Sequence, residues 1–502
     1  MGAHLLGIDS GLTVTKAVVF DAAGREVGRG EARVTQSTPR PRWVERDMAD
    51  VWTACADSVR AALTAAGLAG DDIAAVAATG HGDGVYLIDA EGEPVRPAIL
   101  SLDSRAFGIV QRWRETGVLD EALALTGQHP FAASPAALLA WLQNHEPDAF
   151  RRCRWTLTCK DWIRYRLTGE VATDFTEASL SFTDVATQDY CDAAFTLYGL
   201  AGAAEKAPPV IGPTSPAGVV TARAAIATGL APGTPVVGGL HDVDASALGT
   251  GCVDPGQLAV VAGTWSINEV ISAEPIVDPR WACRNFIEPG RWMNMAYSPA
   301  SATNLEWFVH ELCPLETERA SANGGSPFAF VSAEIEAVHD EESRVFFHPF
   351  LYGSPHGDQA SAAFLGLRGW HCRGHLLRAL LEGVTFNHKT HVDALRSAFP
   401  TTEARLTGGG AQSELWSQLF ADTLGLTVHV TDAKEAGARG AALCAGVGAG
   451  IYPSLADAVR EGVRVVRTHE PDPARHEQLG AAYETYAALV SALAPVWPRV
   501  GS

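Results

Sequence analysis

Apolar and polar positions alternate in short blocks from the start of the chain. Leu5 to Asp9 is an apolar run, SGLTVT is small and polar, Lys16 to Asp21 is apolar again, and after AAGRE a third segment alternates residue by residue. Runs of this length, separated by Gly, Ser and Thr, predict strand, turn, strand, turn, strand. A dinucleotide-binding loop or a P-loop would send a helix straight out of its glycine turn, and neither GxGxxG nor GxxxxGK[ST] occurs in the chain. Half a chain later Gln257 to Val261 passes through AGTWS into Ile267 to Ile271. A second hairpin of the same kind predicts a duplicated architecture with two related lobes.

Between the hairpins the period changes. Asp47 precedes MADVWTACADSVRAALTAAG, whose apolar residues recur at three and four, with Asp50 placed as in a capping box. SPAALLAWLQNH and DWIRYRLTG have the same helical spacing. The strands IAAVAATG, TPVVGGL and ARLTGGG each end in glycine and pass into polar residues. Open α/β sheets bind ligands at such carboxyl ends. Domain boundaries are expected near 245 and 450, giving blocks 1–245, 246–450 and 451–502. The last block reads as terminal helices interrupted at Glu470 to Pro473.

A chain of 502 residues exceeds the ~250–300 at which one core stops growing, which agrees with two lobes. With 38 Lys and Arg against 58 Asp and Glu, the net charge is −20 and no basic run exists, so nucleic acid is excluded as a partner. An anionic substrate must then be met by local donors or by metal, and bound Mg²⁺ is expected. Nine cysteines without CxxC spacing read as reduced and structural. No apolar stretch approaches the ~20 residues of a membrane span and no signal sequence is evident, so the cytosol is the expected compartment.

Three places carry chemistry. Asp9 ends an apolar strand before a Gly/Thr/Lys turn; its carboxylate suits a hydrated metal while Thr13 and backbone N–H groups meet phosphate oxygens, although an aspartate before a turn is also an ordinary capping group. Lys16 is near enough in sequence to help neutralise phosphate. Asp242 follows TPVVGGL directly and precedes helical DASALG, so it is either a helix cap, for which Asp244 competes, or a general base for a hydroxyl that attacks phosphorus. The triple glycine of LTGGGAQSELWSQLFADTLG either lets a flat base or ribose approach the backbone or makes a plain tight turn.

GIDSGLTVTKAVVFD, CKDWIRYRLTGE with TDFTEAS, PVVGGLHDVDASALG, VAGTWS, FHPFLYGS and LTGGGAQSELWSQLFADTLG follow one another in the order found in FGGY carbohydrate kinases, which the chain resembles over almost its whole length. The resemblance implies an α/β, two-lobed actin-like (ribonuclease H-like) ATPase fold with ATP and sugar in a central cleft, and a homodimer as the common assembly; because phosphoryl transfer must exclude water, closure of the lobes on sugar binding is expected. It implies that Asp9 is the metal-associated aspartate with Thr13 and Lys16 in its turn, and that Asp242 is the catalytic base, also touching substrate. Gly263 and Thr264 match the second phosphate loop, Gly409 and Ser413 the adenosine contacts, and Ala302 and Glu306 further nucleotide contacts. Asn is commoner than Ser at position 413.

On the sugar side, His81, Gly82 and Asp83 stand where xylulokinases of the family carry Gln, Met and His, and Asp103 with Arg105 match a polar pair after the next strand. The lesser alternatives are that His81 is a solvated loop residue and that Asp103–Arg105 is a plain surface ion pair. WVERD, HEPDAF, SPASATNLEWF and FNHKTHVDAL look most like the L-xylulose kinase branch, while the GDG of Gly82 to Gly84 is similar to erythritol kinases. The expected reaction is therefore transfer of the ATP γ-phosphate to a terminal hydroxyl of a pentulose. A small polyol is the alternative acceptor, and an actin-like ATPase without sugar substrate is the reading from another class.

Overall fold

The apolar runs at the start of the chain pair as strands β1 (His4–Ser10) and β2 (Val14–Asp21), antiparallel, with Asp9 opposite Lys16. Gly11 N–H donates to Val14 O at 3.0 Å and closes the turn between them. These coordinates are a computed structural model and describe residues 4–338, 344–357 and 359–500. β3 (Glu26–Arg33) adds to the free side of β2, its polar residues alternating outward as the sequence predicts. Helix α1 (Met48–Ala66) begins where Asp47 accepts the Ala49 N–H and ends at Gly67 in the left-handed conformation. β4 (Ile73–Gly80) returns parallel to β1, and β5 (Pro235–Val237) lies beyond it. The sheet runs Pro216–Val219, β5, β4, β1, β2, β3. TPVVGGL is not one strand: Gly239, at φ 74°, breaks it, and Leu240–His241 pairs separately with β4 before α2 (Asp242–Thr250) begins.

The helix α1 and the helix Cys159–Thr168, through Trp162, share one core with Leu6, Ile8, Val19 and Val76 of this sheet. The helix Ala436–Gly448 covers β1 and β4, and glycine permits the contact: a Cβ on Gly7 would lie 1.8 Å from the carbonyl oxygen of Ala438. The same helix meets α2 backbone to backbone, with Gly440 against Ala245 and Gly249 against Ala436.

In the second half β6 (Leu258–Ala262) and β7 (Ser266–Ser272) form the repeated hairpin. β8 (Glu403–Thr407) runs parallel to β6 and leads through the glycines into α3 (Glu414–Leu424). β9 (Thr427–Thr431) runs parallel to β8, and β10 (Val465–His469) is antiparallel to β9. The sequence reading of 451–502 as helices with a break misses β10. Its Val465 and Val466 are exposed, so this last strand lacks the buried alternation that marks the others.

The chain divides into two compact units whose segments alternate along the sequence. The first comprises 1–255, 271–294 and 433–464; the second comprises 256–270, 295–432 and 465–502.

Candidate active site

In the first unit, Asp9 lies one residue from the end of β1, half-buried, and a Cβ on Gly437 would fall 2.5 Å from its Oδ2. Burial raises its pKa to about 6; Lys16 opposes this and Glu435 adds to it. Lys16 Nζ lies 2.7 Å from Glu435 Oε2, and Arg29 Nη1 2.6 Å from the other oxygen, so the lysine is already paired. Thr13 is exposed in the turn. Buried Arg46 holds that turn, donating to the carbonyls of Gly11 and Leu12. Arg46 and Glu435 are invisible to a local reading, because each acts on residues far away in the chain.

Asp242 is the first residue of α2, and His241 occupies the cap position instead of either aspartate. Asp242 keeps 39% of its side chain open. Burial first, then the charge of Asp9, raise its pKa to about 7, with His81 opposing. A carboxylate that titrates there can take up a proton near neutrality. His241 lies 3.5 Å from Asp242 Oδ1 through Nε2 and 3.5 Å from Asp244 Oδ2 through Nδ1. Burial, with Arg284 and Lys160 adding to it, holds His241 well below its ordinary pKa, so the ring is neutral. Gly82 packs on this ring, since a Cβ there would meet Nε2 at 1.8 Å. Gly82 thus makes room for the histidine beside Asp242.

A buried polar chain supports this strand end. His241 N–H donates to Thr176 Oγ1 at 2.9 Å, and Thr176 Oγ1 donates to Asp174 Oδ2 at 2.7 Å. Lys160 Nζ lies 2.8 Å from Asp174 and 2.7 Å from Asp161, all three side chains fully buried. Burial alone would lower the Lys160 pKa, but Asp161 and Asp174 outweigh it and raise it. The motifs CKDWIRYRLTGE and TDFTEAS therefore sit underneath the site.

The residues assigned to the sugar side fall into two groups. His81 is buried rather than solvated: its Nε2 is 3.1 Å from Tyr86 Oη, and burial lowers its pKa to about 4. It sits within electrostatic reach of Asp9 and Asp242. Asp83 is buried, adopts φ 58°, and has its pKa raised by burial. Asp103 and Arg105 form an internal pair, not a surface one. Arg105 Nη2 lies 2.8 Å from Asp103 Oδ2 and 2.8 Å from Glu45 Oε1, and its guanidinium stacks 4.0 Å above Trp43. Asp103 Oδ2 also accepts the Val44 N–H at 2.7 Å.

In the second unit, Gly263 O accepts the Ala302 N–H at 3.0 Å, and Thr264 O accepts the Thr303 hydroxyl at 3.3 Å. A Cβ on Gly409 would reach only ordinary contact with Ala302, at 3.8 Å. Gly263, Thr264, Ala302 and Gly409 are thus gathered together. Gly408, at φ 87°, requires glycine: a Cβ would lie 2.6 Å from Ala262 O. Ser413 caps α3 by accepting the Trp416 N–H at 3.2 Å, and Glu306 is exposed in the first turn of Thr303–Leu312. A wide cavity in this unit, about 1450 Å³, lies among Glu382, Asp422, Asp472 and Arg475; none of these gathered residues lines it.

A pair of α/β units, each opening on a strand–turn–strand hairpin, with a near-neutral carboxylate at a strand end, defines an actin-like ATPase fold adapted to phosphoryl transfer. The chain belongs to the FGGY family of carbohydrate kinases, its N-terminal domain matching at residues 4–249 and its C-terminal domain at 258–449. It is a sugar kinase. It is 35% identical to the L-xylulose/3-keto-L-gulonate kinase of Escherichia coli, over 100% of this chain and 99% of that protein. It is 33% identical to a probable L-xylulose kinase of Pasteurella multocida, over 98% and 99%. Among solved structures, the xylulose kinase of Rhodospirillum rubrum is similar with a TM-score of 0.86 at 30% identity, over 98% of this chain and 99% of that one. Among the described residues, no helix is long and apolar enough to cross a membrane.

Proposed function

We propose that the enzyme transfers the γ-phosphate of ATP to a terminal hydroxyl of a pentulose, with L-xylulose the first candidate. The observation that carries the chemistry is Asp242, a carboxylate whose pKa of about 7 suits a general base. The choice of sugar is supported by the names of the full-length relatives. In this reaction the sugar oxygen bonds to the γ-phosphorus, the bond from phosphorus to the ADP oxygen breaks, and the hydroxyl proton passes to Asp242.

The turns at Thr13 and at Gly263–Thr264 are assigned to the phosphates, and Gly409, Ser413, Ala302 and Glu306 to the nucleotide. His81, Gly82 and Asp83 are assigned to the sugar, with Asp103 and Arg105 shaping the wall behind it. Lys16 and Arg29 share the one carboxylate of Glu435, so this group keeps one net positive charge near the phosphate turn. Mg²⁺ fits the donor set: the charge of Asp9 raises the pKa of Asp242 and that of Glu435 raises the pKa of Asp9, and a divalent cation relieves that surplus of negative charge. Among the described residues no cluster of three His, Cys, Asp or Glu ligands occurs, so Asp9 would hold the metal largely through water and phosphate oxygens. Mg²⁺ would supply charge neutralisation at the phosphates. The cytoplasm is the proposed compartment, in keeping with nine free cysteines.

A coupled ADP-release screen with Mg·ATP against L-xylulose, D-xylulose, L- and D-ribulose, erythritol and glycerol tests this reading. Turnover is expected on a pentulose and should fall at least about 10²-fold in Asp242→Ala. Silence on all pentuloses, or equal turnover in the variant, overturns it.

A further inference from the structure

We infer that Arg284 is a specificity-determining residue that grips a substrate hydroxyl together with Asp83; this rests on the pentulose kinase reading above. Arg284 belongs to the buried strand Ala282–Asn285, within the returning segment 271–294 of the first unit. That strand is held on both sides of the arginine. Cys283 N–H donates to Gly127 O at 2.8 Å, and Asn285 Nδ2 donates to Phe175 O at 3.1 Å and to Gln188 O at 3.0 Å. The guanidinium is aimed by Nε, which donates to Gln128 Oε1 at 2.7 Å, and Gln128 is itself fixed by donating to Ser179 O at 2.6 Å.

Aimed in this way, Arg284 is 7% exposed, and its Nη2 stops 4.0 Å from Asp83 Oδ2. That separation is too long for a hydrogen bond. Asp83 is 8% exposed, and its Oδ1 has no hydrogen-bond partner. Two opposite charges buried this deeply normally close on each other, because a buried polar atom left unpaired, as Asp83 Oδ1 is, is costly. Here they are held apart, and Asp83 keeps a left-handed backbone conformation of the strained kind that gathers at ligand sites. A hydroxyl oxygen about 2.8 Å from each would span the gap. It would accept from Arg284 and donate to Asp83, completing both.

The pair lies within electrostatic reach of the proposed base, since the charge of Asp83 adds to the raised pKa of Asp242. His81 and Gly82 precede Asp83, Gly82 packs against His241, and Arg284 acts electrostatically on His241 and Asp244 as well as on Asp83. The other acids facing it, Asp242 and Asp244, make a neutral hydroxylated chain a better occupant than an anionic one. The clamp selects for a hydroxyl away from the phosphate-accepting end.

The test measures kcat and KM for L-xylulose and its 1-, 3- and 4-deoxy analogues with wild type, Arg284→Gln, Arg284→Lys and Asp83→Asn. In wild type, one deletion should cost on the order of 100-fold in kcat/KM, because a buried polar pair is left unfilled. In Arg284→Gln that penalty should disappear, with KM for the parent sugar raised far more than kcat is lowered. Arg284→Lys should restore part of it. The same penalty in wild type and Arg284→Gln, or no penalty for any deletion in wild type, overturns the inference while leaving the kinase reading intact. Wild type that turns over no ketose removes the kinase reading instead. Calorimetric binding of the ketose or polyol that does bind, and of its deoxy analogues, to wild type and Arg284→Gln then decides the clamp, and an equal penalty in the two proteins, or binding of none, overturns it too.

Discussion

At the residue scale, Asp9 and Asp242 in the first unit both titrate above their ordinary range, and the cause differs between them. Asp9 is raised by burial against the partly compensating Lys16, whereas Asp242 is raised by burial and by Asp9 itself. On the proposed mechanism Asp242 must be ionised to accept a proton. The kcat/KM profile for sugar should therefore fall about tenfold per pH unit below an apparent pKa near 7. Mg²⁺ beside Asp9 should move that limb to lower pH. A profile flat from pH 5.5 to 8 would remove Asp242 as the base. The linkage runs the other way for stability. Because the folded pKa exceeds the unfolded value of 3.8, the favourable protonated form is fully present below 3.8 and is lost as pH rises through about 7. Asp242 was legible in the chain because its signal is local: a carboxylate directly after an apolar run and before a helix. Arg284 carries no such signal. It belongs to a short buried strand, and its partner Asp83 is about two hundred residues earlier.

At the scale of elements, Asp242 is aimed by what lies beneath α2. His241 N–H depends on Thr176 Oγ1, which depends on Asp174, which is neutralised by Lys160. Thr176→Val keeps the volume but leaves a buried N–H unpaired, a loss of about 1–3 kcal/mol. The melting temperature should drop, and kcat should fall on the order of tenfold as the base is misplaced, with Thr176→Ser recovering both. Unchanged kcat in a destabilised valine variant would make the chain purely structural. The motifs that build this support could be read from the sequence as motifs, but their place under the site could not. Hydrogen bonds to buried charges follow tertiary proximity, and Thr176 and His241 are 65 residues apart. The same limit hid β10, an exposed edge strand with no apolar face of its own.

For the molecule as a whole, the order of the chain is not the order of the units. The hairpins, the glycine-ended strands and two-unit construction were readable, since each is a short-range pattern repeated. The return of residues 433–464 to the first unit was not, because Gly7 and Gly440 matter only through what approaches them. Residues 1–255 expressed alone should therefore leave β1 and β4 uncovered and fail to give a cooperative unfolding transition. Adding 433–464 through a flexible linker should restore one, and a cooperative transition in 1–255 alone would show the returning helix to be dispensable. That helix also sets a timetable for synthesis. At ~5–20 residues per second, a ribosome needs on the order of 10–40 s to travel from residue 255 to the far end of Ala436–Gly448. Throughout that interval the nascent first unit carries an apolar sheet face with nothing to cover it. Its yield in a cell thus depends on chaperone supply and elongation rate as well as on the free energy of the finished fold.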